Sequence, residues 1–168
     1  PPPITTTLVF FGSVFDIYRL FIIQYKFFKM NILITGGAGY IGSHISEQLV
    51  KNKKNNIFIL DNLSTGRKIL INKKTKFVKG DIKNINLLKK IIKKFKIETI
   101  IHLAASLNIS EAEKNRKKYY NNNITGTKNL IFACEKSDVK YIIFSSSCSI
   151  YGNVKGSGSG YFNSSFPQ

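Results

Sequence analysis

"MNILITGGAGYIGSH", Met30 to His44, decides how the rest of the chain is read. "NILIT" is a short apolar run of strand character, and "YIGSHISEQLVKN" places apolar residues three and four apart. A strand that turns through glycines into a helix is expected here. The glycines fit two overlapping spacings: Gly37, Gly39 and Gly42 satisfy G-x-G-x-x-G, while Gly36, Gly39 and Gly42 satisfy T-G-x-x-G-x-x-G. Between a strand and a helix, that spacing has a mechanical meaning. The first glycines permit a tight turn, Gly39 lets backbone approach a pyrophosphate, and Gly42 lets helix and strand pack closely. Phosphates would sit on the unpaired amides at the helix N-terminus, where the helix dipole favours negative charge.

Beyond this stretch, strand-like and helix-like runs alternate, the pattern of a parallel sheet with crossover helices. Strands are expected at "NILIT", "NIFIL", "KFVKG", "TIIHLA" and "YIIFSSS". Helices are expected at "YIGSHISEQLVKN", "NINLLKKIIKKFK" and "NITGTKNLIFACEKS". In the second of these, Ile85, Leu88, Ile91, Ile92 and Phe95 line one face and Lys89, Lys90, Lys93 and Lys94 the other, so the lysine stripe reads as a solvated helix face. Asp61 closes the second strand, nineteen residues beyond Gly42, near the spacing of the residue that grips an adenosine ribose. Its carboxylate would accept from both ribose hydroxyls and repel a 2′-phosphate, which favours NAD over NADP; an Asp capping a turn is the plainer alternative.

The chain has 168 residues, 43% of them hydrophobic, enough for one domain with one core. A net charge of +17 would by itself point to nucleic acid or an anionic membrane surface. All but three of the 26 basic residues are Lys, however, and the chain is equally rich in Asn, Ile, Phe and Tyr. Their codons are built largely from A and T, so a skewed genome accounts for the charge. Nucleic-acid readers favour Arg, and no nucleic-acid partner is expected. Cys134 and Cys148 make no metal-ligand spacing and read as reduced cytoplasmic thiols.

"LVFFGSVFDIYRLFIIQYKFF", Leu8 to Phe28, is apolar but interrupted by Asp16, Arg19 and Lys26. A charge near the middle of a span costs about 2.5 to 3.5 kcal/mol, so a membrane span is not expected. The uncharged opening "PPPITTT" does not fit a signal peptide either. Residues 1–29 are expected to be an extension outside the domain, with a peripheral membrane anchor as the alternative.

With "ILITGGAGYIGSH", "DNLSTG", "FVKGDI", "IHLAA", "YYNNNITGT" and "FSSSCSIYG" in order, Met30 to about Asn153 resembles the extended short-chain dehydrogenases of the NAD-dependent epimerase/dehydratase family. "GYIGSH" with "DNLSTG" leans toward its 4-epimerase branch, which interconverts UDP-glucose and UDP-galactose, over the dehydratases and decarboxylases. The resemblance implies a Rossmann-type, doubly wound parallel α/β sheet and NAD as cofactor. It places Gly36, Gly39, Tyr40, Ile41 and Gly42 at the pyrophosphate, Asp61 and Asn62 at the adenine ribose, and Ser64, Thr65 and Gly66 nearby. Asp81 and Ile82 would flank the adenine, or form a strand-end turn. Leu103, Ala104 and Ala105 would pass under the cofactor as a close-packed strand end. Asn122 would reach the cofactor, or cap the following helix. His44 and His102 read as structural.

The resemblance also implies a nucleotide-sugar substrate, a homodimer for full-length relatives, and a reversible oxidation at the sugar C4. A Tyr removes the hydroxyl proton there, a Lys lowers that Tyr's pKa, and a Ser bonds the reacting oxygen. Ser147 matches the Ser, with a polar strand end as the alternative. Neither Y-x-x-x-K string fits the Tyr and Lys: Tyr25 and Lys29 precede the first strand, and Tyr151 and Lys155 lie too near Ser147, beside Gly152 and "GSGSG". Leu107 stands where better-known epimerases carry a cofactor-contacting Lys, so looser NAD retention is expected. The sheet is expected to stop after about the fifth strand, with 30–153 a partial NAD-binding domain and 154–168 a flexible or frame-shifted tail. A chain inactive by itself follows; a non-catalytic nucleotide-binding module is the alternative.

Overall fold

The computed structural model describes residues 29–145. Five strands, β1 (Asn31–Thr35), β2 (Asn56–Asp61), β3 (Lys76–Lys79), β4 (Thr99–His102) and β5 (Tyr141–Phe144), form one parallel sheet in the order β3-β2-β1-β4-β5. The helices are α1 (Tyr40–Leu49), α2 (Ile85–Phe95), the short α3 (Ile109–Lys114) and α4 (Arg116–Tyr119), and α5 (Gly126–Cys134). β1 pairs with β2 on one side and β4 on the other, so the winding reverses at β1. At such a reversal a crevice opens beyond the carboxyl ends of the strands, which here are Thr35 and His102.

Side chains alternate across the sheet and fill both faces. Leu33, Phe58, Leu60 and Ile100 pack with Leu88, Ile91 and Ile92 of α2 and Leu130 and Ala133 of α5. Ile32, Ile34, Ile57, Ile101 and Ile143 turn to the other face, against Ile45 of α1. Burial on both faces explains why β1 reads as a near-continuous apolar run.

In α2 the expected stripe is formed: Leu88, Ile91 and Ile92 are buried, Ile85 and Phe95 partly so, and Lys89, Lys90, Lys93 and Lys94 are exposed. Phe95 stacks on Phe58 with ring centroids 4.5 Å apart. The Asn84 side chain accepts from the Leu87 N–H at 3.0 Å and starts the helix. Lys96, in the left-handed region at φ 48°, ends it. Truncating the fully buried Leu88 to Ala would cost about 2 to 5 kcal/mol. Cys134 is a buried free thiol that burial pushes up to about 12, a packing residue.

Strands and helices stand where the patterns put them, with shifted ends. β4 stops at His102 rather than running into Leu103 and Ala104, and α1 stops at Leu49. The expected helix from Asn123 is a regular α-helix only from Gly126; Tyr120–Thr125 form a π-helical turn. α3 and α4 lie in a stretch with no expected element. Among the described residues, no helix is long and apolar enough to cross a membrane, and no His, Cys, Asp or Glu cluster could hold a metal ion.

Candidate cofactor site

The glycine loop leaves β1 at the reversal point. Gly36 has φ +74°, a Cβ there would stand 2.8 Å from the Ala104 nitrogen, and only glycine fits. A Cβ on Gly42 would press on the Gly36 carbonyl and stand 2.6 Å from the Gly37 Cα, so Gly42 lets α1 pack on its own loop. Gly39 differs: a Cβ would meet only the Gly36 oxygen, at 3.3 Å. Among the described residues, nothing else crowds that position. Gly39 also heads α1, which has no side-chain cap and no acidic residue in its first turn. By contrast, Asn84, Asn108 and Asn115 cap α2, α3 and α4. A bare helix N-terminus behind an uncrowded glycine fits a dinucleotide pyrophosphate.

Asp61 is 8% exposed and its two oxygens face two loops. The Ala38 N–H donates to Oδ2 at 3.0 Å and the Leu63 N–H to Oδ1 at 2.8 Å. It is therefore also a structural tie between the glycine loop and the loop after β2, while each oxygen keeps a further lone pair for a ribose hydroxyl. Leu63 holds φ 61°, stabilised by that bond. The loop returns to the glycines, where the Arg67 N–H donates to the Ala38 carbonyl at 2.9 Å and Gly66 leaves no room for a Cβ beside Ala38. Ser64 and Thr65 are exposed at its tip.

Next along the strand ends, Asn62 Nδ2 donates to Asp81 Oδ2 at 3.0 Å. Burial raises the Asp81 carboxyl, but the Lys83 N–H, the Asn62 amide and the Lys83 ammonium outweigh it and hold the group below its ordinary value. The Ile82 side chain is buried, packed where Gly126 leaves space. Tyr40, 77% exposed, and Ile41 flank the bare helix end, with Tyr40 tilted over the His44 ring at 4.6 Å.

On the other side of β1, Leu103 and Ala104 are half-buried against Gly36, and Ala105 is exposed. The Asn123 amide grips the loop beyond them: its Oδ1 accepts from the Ser106 N–H at 2.8 Å and its Nδ2 donates to the Ser106 carbonyl at 3.0 Å. Asn122 donates to Asn123 Oδ1 and caps no helix. Leu107 is 82% exposed. His102 is buried between Thr35 and Thr127, and His44 is exposed on α1. Four of the five stretches singled out, 36–42, 61–66, 81–82 and 103–105, thus adjoin one another at the carboxyl ends of the strands through the Ala38–Asp61, Asn62–Asp81 and Gly36–Ala104 contacts, and Asn122 reaches them only through Asn123 and Ser106. Ser147, Cys148, Tyr25, Tyr151 and Lys155 lie outside the described residues. Sequence reasoning missed Ala38, whose contribution is backbone, and Asn123, which differs from its neighbours only by register.

A parallel sheet in this order, with a glycine loop and a bare helix end at its reversal point, defines a dinucleotide-binding α/β protein. Residues 32–167 match the NAD dependent epimerase/dehydratase family, and the chain belongs to that family. It is 44% identical over 126 residues to a UDP-glucose 4-epimerase of Lactobacillus helveticus, covering 75% of this chain and 38% of that one. A putative UDP-glucose 4-epimerase of Methanocaldococcus jannaschii is 43% identical over 123 residues, with 72% and 39% covered. Among solved structures, the UDP-glucose 4-epimerase of Brucella ovis in complex with NAD superposes with a TM-score of 0.70 at 38% identity, covering 76% of this chain and 38% of that one. The UDP-glucose 4-epimerase of Thermus thermophilus, also in complex with NAD, gives 0.73 at 30% identity, with 79% and 42% covered. This chain spans about two fifths of the length of these relatives.

Proposed function

We propose that residues 30–153 are the NAD-binding portion of a UDP-glucose 4-epimerase. The observation that carries this reading is Gly39, a glycine that the protein's own packing barely demands, at the bare N-terminus of α1. The α1 amides hold the pyrophosphate, Asp61 and Asn62 meet the adenosine ribose, and Asp81 and Ile82 flank the adenine. Ala104 lies against Gly36 on the far side of the loop, toward the nicotinamide end. Bound NAD supplies a reversible oxidation of the sugar at C4.

The proton chemistry needs a Tyr and a Lys that residues 30–145 do not provide as a Y-x-x-x-K string. The Tyr151 and Lys155 pair stands in a glycine-rich stretch unsuited to a helix. The 168 residues by themselves therefore bind NAD and do not interconvert UDP-galactose and UDP-glucose, because lack of a positioned acid/base forfeits about 10² to 10⁴ in rate.

Thermal melts with the two cofactors test the binding. NAD at about 100 times its dissociation constant adds about 2.7 kcal/mol of stability, whereas NADP adds much less because its 2′-phosphate meets Asp61. Equal shifts with both would refute the role of Asp61. Chromatography of UDP-galactose incubated with the chain and NAD tests the rest: conversion above a blank would refute inactivity.

A further inference from the structure

His102 is one of two histidines in the chain, and the cofactor reading leaves it without a task. It closes β4 at 3% exposure, with its ring tilted against Phe144 at 5.5 Å. Thr35 Oγ1 lies 2.6 Å from Nδ1, and Thr127 Oγ1 lies 2.9 Å from Nε2. The Thr127 hydroxyl also donates to the Asn123 carbonyl at 2.6 Å. A hydroxyl has one proton, so Thr127 must accept from His102. That fixes the imidazole as the Nε2–H tautomer, and Nδ1 accepts from Thr35.

Every proton in the relay then has a direction: Thr35 to His102, His102 to Thr127, Thr127 to Asn123. Asn123 in turn holds both backbone atoms of Ser106. Thr35 immediately precedes Gly36, which packs on Ala104. The relay joins the strand end that launches the glycine loop, the loop after β4, and the π-helical turn that carries Asn122. π-helical turns are uncommon and recur at functional sites.

We propose that His102 is a positioning residue for the cofactor: a neutral strut that holds the Asn122–Asn123 turn and the Leu103–Ser106 loop in register with the glycine loop. The proposal deepens the NAD reading and rests on it. Burial pushes the imidazole down to about 4, which keeps the strut neutral near pH 7. A histidine that merely filled space would leave NAD affinity indifferent to the Thr127 hydroxyl.

The test is NAD calorimetry on the full chain and three variants. Thr127→Val keeps the shape but removes the hydroxyl, and is expected to raise the dissociation constant at least about tenfold. Thr127→Ser, which keeps the hydroxyl, is expected to stay within about threefold of the parent, and His102→Gln, which can donate to Thr127 but cannot place an acceptor at the Nδ1 position, is expected to fall between Thr127→Ser and Thr127→Val. A folded Thr127→Val that binds NAD as the parent does would overturn the proposal. Ring ¹⁵N spectra of the parent give an independent readout that does not depend on that variant folding. They are expected to show the Nε2–H tautomer for His102 and a ring shift that saturates with NAD. An Nδ1–H tautomer, or a ring indifferent to saturating NAD, would overturn it equally. A parent chain that binds no NAD would remove the cofactor reading itself and the positioning role with it, whatever the tautomer.

Discussion

Alanine at Gly39 and at Gly36 should have opposite consequences, because one glycine serves the ligand and the other the fold. Gly39 has φ −78° and ψ 174°, a conformation open to any residue, and among the described residues its added Cβ would meet only the Gly36 oxygen at 3.3 Å. Alanine is a poorer N-cap than glycine, at a cost of about 1 kcal/mol or less. Stiffening the unfolded chain returns about 0.4 to 1 kcal/mol. The two nearly cancel, so the melting temperature should move by no more than about 2 to 4 °C. The new methyl stands where the pyrophosphate must approach, and an expected loss of about 100-fold in NAD affinity corresponds to about 2.7 kcal/mol.

Gly36→Ala puts a Cβ 2.8 Å from the Ala104 nitrogen and 2.9 Å from the Leu103 carbonyl carbon, at φ +74°. Left-handed backbone costs about 1 to 2 kcal/mol, and overpacking adds about 1 to 3. This variant should melt well below the parent even without ligand. Melts in the absence of NAD, followed by calorimetric titration, separate the two effects. A Gly39→Ala chain that binds NAD with parental affinity, or a Gly36→Ala chain that melts with the parent, would refute the reasoning.

Asp61→Asn should destabilise the ligand-free chain by about 1 to 3 kcal/mol, because an amide cannot accept from both the Ala38 and Leu63 N–H groups; an unchanged melt would mean that the tie does not bear on stability. His102 titrates lower in the folded chain than its ordinary 6.5, so the unfolded chain binds the extra proton between pH 6.5 and about 4. Stability should therefore fall with falling pH across that window, with His102 contributing a slope approaching about 1.4 kcal/mol per unit, and the slope should flatten in His102→Gln. Leu107, an exposed apolar residue, offers no ammonium to a bound cofactor, so NAD should exchange freely; chain purified without added cofactor should show little NAD absorbance, and full retention through gel filtration would contradict this.

Much of the architecture is legible in the sequence, for reasons visible in particular residues. β1 and α1 can be read because Gly36, Gly39 and Gly42 punctuate a change of hydrophobic period from strand to helix. α2 can be read because five apolar residues and four lysines segregate to opposite faces. "ISEAEKNRKKYY" has too few apolar residues to show a period, so α3 and α4 cannot. The π-helical turn is hidden as well, since a one-residue widening leaves no mark in "YNNNIT". Of three consecutive asparagines, only their register on that turn distinguishes the one that grips Ser106. The Ala38 amide on Asp61 leaves no trace in the sequence, because it belongs to the backbone. His102 is legible as structural, but its partners Thr35 and Thr127 lie 67 and 25 residues away and meet it only in the fold.

Backbone amide NMR of the full chain titrated with NAD tests the central claim most directly, because it reports both that the cofactor binds and where. The account predicts saturable shifts with one dissociation constant, centred on Gly36–Gly42, Asp61–Gly66, Asp81, Leu103–Ala105 and Asn122, with NADP producing them only weakly. Spectra unmoved by NAD, or shifts centred on the lysine face of α2, would contradict it.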